Sequence, residues 1–198
     1  MAATCEDVGV SDGLVTSGVA GLTVSELLDQ LAQDEFGPAA STAAAVTGAM
    51  AAALVEMAAA RSTDWPEAKG IAAQAGARRA RLSELAGTTA AALSEAIEAL
   101  ERRERVEGPL RRTVELLVAL ADAAGDVGEL AAHAAEKADW PVRPDAVSAA
   151  LLAESAVATA AALVRANLTV LPAGGPSDYV GRAEDDALSA ARRALEAV

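Results

Sequence analysis

The sequence predicts an all-α protein, a compact bundle of about six helices. Alanine, the best helix former, supplies much of the 53% hydrophobic fraction. Aromatic residues make up 2% of the chain, so Leu, Val and small side chains must form the core. Long runs of β-branched and aromatic residues, typical of strands, are missing. A chain of 198 residues usually forms one domain, and we expect a single domain over residues 22–198 after a mobile N-terminal extension, residues 1–21.

The first predicted helix begins with a capping box at Thr23–Glu26. The Thr23 hydroxyl can accept the backbone N–H of Glu26, while the Glu26 carboxylate reaches back. Apolar residues then follow at i, i+3, i+4 and i+7, namely Val24, Leu27, Leu28 and Leu31. This helix should end near Asp34, because Gly37 and Pro38 break it.

The second predicted helix is capped by Ser41 or Thr42 and ends at about Arg61. Its segment Ala43–Ala60 is nearly uncharged, which raises the question of a membrane span. A span needs about 20 strongly apolar residues, whereas alanine is only weakly hydrophobic. The pattern therefore predicts a central helix buried in a soluble bundle.

The remaining predicted helices cover approximately residues 66–106, 109–138, 144–168 and 177–198. The first of these is either one long helix or two helices with a break near Gly87. The second half of the 109–138 helix is made of small residues, including Gly125, which predicts close packing against a neighbour. The four aromatic residues, Phe36, Trp65, Trp140 and Tyr179, lie in or next to connections. They either cover the ends of the bundle or stack on a planar ligand.

Charge and cysteine content exclude several classes of protein. The net charge of −13 disfavours a nucleic-acid-binding surface. Arginines cluster at 102–112 among glutamates, which indicates a solvated helix face or, alternatively, a site for an anionic ligand. One cysteine, Cys5, cannot form a disulfide or a cysteine metal site within one chain. The N-terminus lacks a secretory signal, so we expect a cytoplasmic protein, and the composition is compatible with a bacterium of high GC content.

Few residues can carry out chemistry. His133 is the single histidine, and neither a metal cluster nor a nucleophile-elbow motif accompanies it. Glycine-rich phosphate-binding loops are absent. An enzyme built on this chain would have to use carboxylates, Lys69, Lys137, Tyr179 or backbone groups as acid and base.

Three segments together carry a resemblance to a known family. They are Leu22–Leu54 with its continuation to Met57, then Arg143–Ala160, and finally Leu163–Leu168. In order and spacing they are similar to the formiminotransferase-cyclodeaminase and methenyltetrahydrofolate cyclohydrolase family. The resemblance implies an all-α dimer that acts on a tetrahydrofolate derivative without a further cofactor or metal. Cyclodeaminases close a C–N ring with loss of ammonia, and cyclohydrolases open it with water.

The resemblance also implies site residues. Asp145 matches a family aspartate and is the candidate catalytic residue, while Ser41, Lys69 and Asn167 are the candidate substrate-binding residues. Two family features are changed. The glycine-rich turn is replaced by Phe36–Ser41, and an acidic position on the next helix carries Thr89.

Three functions follow from these observations. The first is an enzyme that closes or opens a C–N ring on a folate or another small polar substrate. The second is a catalytically degenerate relative that binds a ligand or a partner. The third is a structural α-helical interaction protein.

Overall fold

The computed structural model describes residues 19–33 and 38–169, which are helical and contain no strand. The five α-helices are α1 (Val24–Leu31), α2 (Ala39–Arg61), α3 (Ala68–Glu101), α4 (Glu107–Lys137) and α5 (Arg143–Leu168). Short 3₁₀ turns cover Val19–Gly21 and Trp140–Val142. The all-α prediction is confirmed. The helix predicted over 177–198 and most of the predicted extension lie outside the described residues.

Helices α2 to α5 form an antiparallel bundle in which α2 is central. It contacts α3, α4 and α5, while α4 packs on both α3 and α5. At one end, here called the Asp139 end, α2 and α4 finish while α3 and α5 begin. There the Thr63 N–H donates to Asp139 Oδ2 at 3.1 Å, and the Asp139 N–H donates to Ser62 Oγ at 3.1 Å. The opposite end, where α2 begins, is called the Ser41 end.

Close approach of helices in the middle of the bundle depends on Gly48. A Cβ added there would lie 3.2 Å from Leu82 Cδ1 on α3 and 3.6 Å from Ala124 Cβ on α4. The core around it consists mainly of alanine, and its largest fully buried side chains are Leu82, Leu85, Leu117 and Leu120. Gly125 differs from the prediction, because a Cβ added there would have no neighbour within 4 Å.

The N-terminus of α1 has the predicted capping box. The Glu26 carboxylate accepts the Thr23 N–H at 2.7 Å, and Thr23 Oγ1 accepts the Glu26 N–H at 3.3 Å. The hydrogen bond from the Thr23 hydroxyl holds the pKa of Glu26 below its ordinary value. The apolar face of α1 is not covered as the pattern predicted, because Val24 is 74% and Leu28 58% exposed.

Local sequence signals set the other helix ends with two corrections. Helix α2 ends at Arg61 as predicted but begins at Ala39, and its N-cap residue is Pro38, whose side chain makes no capping hydrogen bond. The Ser41 hydroxyl donates to the Pro38 carbonyl at 2.9 Å and therefore does not act as the cap. Helix α3 runs through Gly87 without a break and begins at Ala68, later than predicted.

Two aromatic residues lie at the Asp139 end. Trp65 is buried and meets the His133 ring edge to face, with centroids 5.4 Å apart. Trp140 is 78% exposed. Phe36 and Tyr179 lie outside the described residues, so the prediction that the aromatics cover the bundle ends fits Trp65 and does not fit Trp140.

Two helical segments, Ala39–Arg61 and Trp140–Leu168, are long and apolar enough to cross a membrane. Within the apolar 18-residue stretch of each segment, 44% and 50% of the stretch is buried inside the bundle. The core helix of a soluble protein meets the same criterion, and α2 occupies the central position that the sequence predicted.

The turn between α3 and α4 contains a strained residue, Arg103, with φ of 55°. The Glu104 N–H donates to the Ala99 carbonyl at 2.8 Å and the Arg103 N–H to that of Leu100 at 3.1 Å, as in a Schellman motif. Glycine is usual at this position, because a Cβ in the left-handed region costs about 1–2 kcal/mol.

Arg103→Gly should therefore raise the free energy of unfolding by about 1 kcal/mol, measured by urea denaturation. Arg103→Ala is the matched control, since it removes the guanidinium and keeps the Cβ. Equal stabilisation by both variants would mean that charge, and not the backbone angle, is responsible.

Candidate functional site

Apart from the indole N–H of Trp65, the polar groups on buried side chains in the described part of the chain are all hydroxyls, and none is ionisable. They are Ser41, Thr42, Thr89, Ser94 and Thr113. Because the rest of the core is apolar, each such hydroxyl needs a hydrogen-bond partner or leaves a cost of about 1–3 kcal/mol.

Three of these hydroxyls lie at the same height along the axis of the bundle. Leu82 on α3 contacts Gly48 on α2, and a Cβ added at Gly76 on α3 would lie 3.3 Å from Glu56 Oε1 on α2. These two contacts fix the antiparallel register of the helices. Ser41 precedes Gly48, and Thr89 follows Leu82, by seven residues, about two helical turns.

The register thus brings Ser41 and its neighbour Thr42 to the level of Thr89. Ser41 is 2% exposed, and both threonines are fully buried. These three residues are called the hydroxyl cluster. It lies inside the Ser41 end, at the first turn of α2.

Two of the cluster's hydroxyls have no partner. Ser41 donates to the Pro38 carbonyl at 2.9 Å, whereas Thr42 Oγ1 and Thr89 Oγ1 bond to nothing. A buried threonine in a helix can bond the carbonyl one turn back, as Thr113 does with Pro109 at 3.0 Å. The cluster therefore offers unused hydrogen-bonding capacity in a dry interior.

The N-terminus of α2 adds donors beside the cluster. A helix leaves its first N–H groups without partners inside the helix, and the N-cap residue of α2, Pro38, makes no capping hydrogen bond with its side chain. The helix dipole also places partial positive charge at this end. The two unpartnered hydroxyls and the N-terminus of α2 can together bind an oxygen atom of a small molecule.

A model of the formiminotransferase-cyclodeaminase family matches residues 23–173. The chain belongs to this family. The crystal structure of formiminotetrahydrofolate cyclodeaminase from Thermotoga maritima superposes with a TM-score of 0.82, covering 90% of this chain and 96% of that one. Sequence identity is 20%, so this likeness shows the fold. No curated protein matches in sequence.

The residues that the family model matches include all three residues of the hydroxyl cluster. In the resemblance described above, Thr89 stands where family members tend to carry a carboxylate, and Ala39 and Ala40 stand where they carry glycines. The structure has Ala39 and Ala40 as the first residues of α2. Alanine favours the helix, which agrees with the start of α2 at Ala39.

The four site residues predicted from the resemblance fall into two pairs. Ser41 belongs to the hydroxyl cluster, and Asn167 lies in the last turn of α5 at the same end. Lys69 and Asp145 lie in the first turns of α3 and α5, at the Asp139 end. Asp145 and Asn167 are 22 residues apart on α5, about 33 Å along its axis. One chain therefore does not bring all four into one pocket, and their ligand roles stay predictions.

Sequence reasoning named Thr42 only as a helix cap and missed it as part of the site. The available signal was a pair of hydroxyl residues, Ser41 and Thr42, followed by an almost unbroken run of small apolar residues. A threonine in such a run on a central helix has no solvent to bond. No local sequence pattern, however, shows that Thr89 lies at the same height along the bundle as Thr42.

An apolar groove of about 350 Å³ lies between α1, α2 and α3, and none of the three cluster residues lines it. Its wall includes Val24 and Leu27 from α1, Val46 and Met50 from α2, and Ser83 from α3. Arg79 at its edge is paired with Glu56 at 2.9 Å. Within 19–33 and 38–169, no group of His, Cys, Asp and Glu side chains is arranged to hold a metal ion.

Proposed function

We propose that this protein binds a small polar molecule at the hydroxyl cluster and the start of α2. The observation that carries the proposal is the pair of fully buried, unpartnered hydroxyls, Thr42 Oγ1 and Thr89 Oγ1. A ligand oxygen between them would remove the cost of two unmet hydrogen bonds. A tetrahydrofolate derivative is the first ligand to test because of the family, and another small polar metabolite is the second. The proposal needs no cofactor.

Ring closing or opening at a C–N bond is the second candidate function. Backbone N–H groups and hydroxyls can stabilise negative charge that develops at a tetrahedral carbon. Such a reaction also needs a proton donor for the leaving nitrogen. Since Thr89 replaces the expected carboxylate, the described part of the cluster lacks an acid or base that works near neutral pH. Binding therefore ranks above turnover, and Asp145 and Lys69 at the Asp139 end keep their predicted roles as hypotheses.

Thr42→Val and Thr89→Val should each stabilise the ligand-free protein by about 1 kcal/mol, because valine keeps the shape and removes the unpartnered hydroxyl. The same variants should weaken ligand binding about tenfold. Denaturation in urea measures the first effect, and calorimetric titration measures the second.

Thr113→Val is the matched control. Thr113 is equally buried, but its hydroxyl is already bonded to Pro109. This variant should not be stabilised and should bind ligand normally. Loss of stability in Thr42→Val and Thr89→Val would show that these hydroxyls are satisfied in solution.

Thermal shift with a panel of reduced folates tests whether the family's ligand class is retained. A rise in melting temperature that the double variant Thr42→Val/Thr89→Val abolishes supports folate binding at the cluster. Asp145→Asn serves as a second control from the opposite end of the bundle, and binding at the cluster should survive it. Absence of binding by any small molecule would favour the third function, a structural interaction protein.

We also propose that the protein is a cytoplasmic homodimer, in agreement with what the resemblance implies. One candidate interface is the small-residue helix face at Gly125 and Gly128, where a Cβ added at Gly125 would meet nothing within 4 Å. The apolar residues left exposed on and beside α1 are a better candidate, namely Val24, Leu28 and Met50.

Leu28→Glu should shift the protein from dimer to monomer, because it places a charge in this apolar surface. Light scattering at micromolar concentration measures the mass. Leu100→Glu is the control, as Leu100 is 63% exposed at the end of α3. A folded monomer in the unmodified protein would contradict the dimer.

A further inference from the structure

The side chains of the hydroxyl cluster determine which ligand charge the cluster prefers. Ser41, Thr42 and Thr89 are neutral, and apart from the indole N–H of Trp65 the polar groups on buried side chains of the described residues are all hydroxyls. The described carboxylates nearest along α3, Glu84 and Glu95, are exposed and paired with arginines. Among the described residues, no buried carboxylate would compensate a cation placed in the cluster for its lost hydration.

The N-terminus of α2 also disfavours a cation and favours a hydrogen-bond acceptor. Its first N–H groups are donors, and its end of the helix dipole is positive. A carbonyl or carboxylate oxygen can accept from these N–H groups and from both unpartnered hydroxyls. An amidinium or iminium group offers further donors and meets positive potential.

We infer that the cluster selects a hydrogen-bond acceptor, a neutral carbonyl or a carboxylate oxygen, and rejects a cationic amidinium or iminium group. This inference rests on the proposed binding site and adds the chemical class of the ligand. It predicts a preference that differs from that of a carboxylate-lined pocket, because Thr89 supplies a hydroxyl where a carboxylate would attract a cation.

Acetate, acetamide and acetamidinium test this preference, because they have nearly the same shape and differ in charge and donors. Binding is followed by the γ2-methyl resonances of Thr42, Thr89 and Thr113 in the full-length protein. Acetate and acetamide should shift the Thr42 and Thr89 methyls in a saturable way and leave Thr113 unchanged. Acetamidinium should bind at least about tenfold more weakly, in line with the dipole and the missing counter-charge.

Thr89→Asp provides the reciprocal test, since it should reverse the order and favour acetamidinium over acetate. If Thr89→Asp does not fold, the comparison of the three probes on the unmodified protein still tests the inference. Tighter binding of acetamidinium by the unmodified protein would overturn the inference and leave the proposed site intact. Failure of all three probes to shift Thr42 and Thr89 would overturn the site as well. If acetate still binds to Thr42→Val/Thr89→Val, the ligand binds elsewhere, and the proposed site is wrong as well.

Discussion

Gly48→Leu should destabilise the protein by about 3 kcal/mol or more, the upper part of the range for overfilling a packed core. Even the Cβ would lie 3.2 Å from Leu82 Cδ1, and the remaining atoms would have to enter the space between α2, α3 and α4. Leu82 is fully buried and cannot move into solvent. The helices would have to separate, which exposes the alanine core on both sides.

Gly70→Leu is the control for this substitution. It makes the same change in α3, where an added Cβ meets nothing within 4 Å. Leucine is the better helix former by somewhat under 1 kcal/mol, so this variant should be neutral or slightly stabilised. Urea denaturation of both variants measures the difference. Equal stability of the two would contradict the close contact of the three helices at Gly48.

Much of the fold could be predicted from sequence because its signals are local. The capping box at Thr23–Glu26 and the end of α2 at Arg61 were both correct. The errors also have local causes. Pro38 fixes a helix start before Ser41 can act as cap, and Gly87 is tolerated within a long helix whose neighbours are good helix formers. The exposed face of α1 could not be predicted, since periodicity shows that a face is apolar and not that something covers it.

The candidate site was harder to predict because it depends on register between separate helices. Ser41 and Asn167 lie at one end of the bundle, and Lys69 and Asp145 at the other, since antiparallel connections reverse the direction of each successive helix. Motif matching along the chain carries no such information. Thr42 and Thr89 are 47 residues apart in sequence, and only the contacts at Gly48 and Gly76 align them.

Turnover of methenyltetrahydrofolate or formimino-tetrahydrofolate should be very slow or absent. A hydroxyl at Thr89 cannot act as a general acid or base near pH 7. Loss of a positioned acid or base lowers a rate by about 10²–10⁴. From an ordinary value of about 10 s⁻¹, the expected kcat is at most about 0.1 s⁻¹.

The start of α2 adds a second reason. Consecutive glycines can turn several N–H groups toward one ligand atom, because they accept positive φ. Ala39 and Ala40 are instead held in the first turn of α2, and Pro38 has no N–H to donate. The N–H groups that remain point along the helix axis and suit a bound oxygen better than a ring carbon changing geometry.

The absorbance of the methenyl form, followed with purified protein, tests the central claim most directly. The claim is that this chain keeps the cyclodeaminase fold and has exchanged acid–base chemistry for binding by neutral hydroxyls. We expect hydrolysis no faster than about 0.1 s⁻¹, together with acetate binding that Thr42→Val/Thr89→Val weakens. Turnover near 10 s⁻¹, typical of enzymes, would contradict the claim, because it would require an acid or base that Thr89 does not provide.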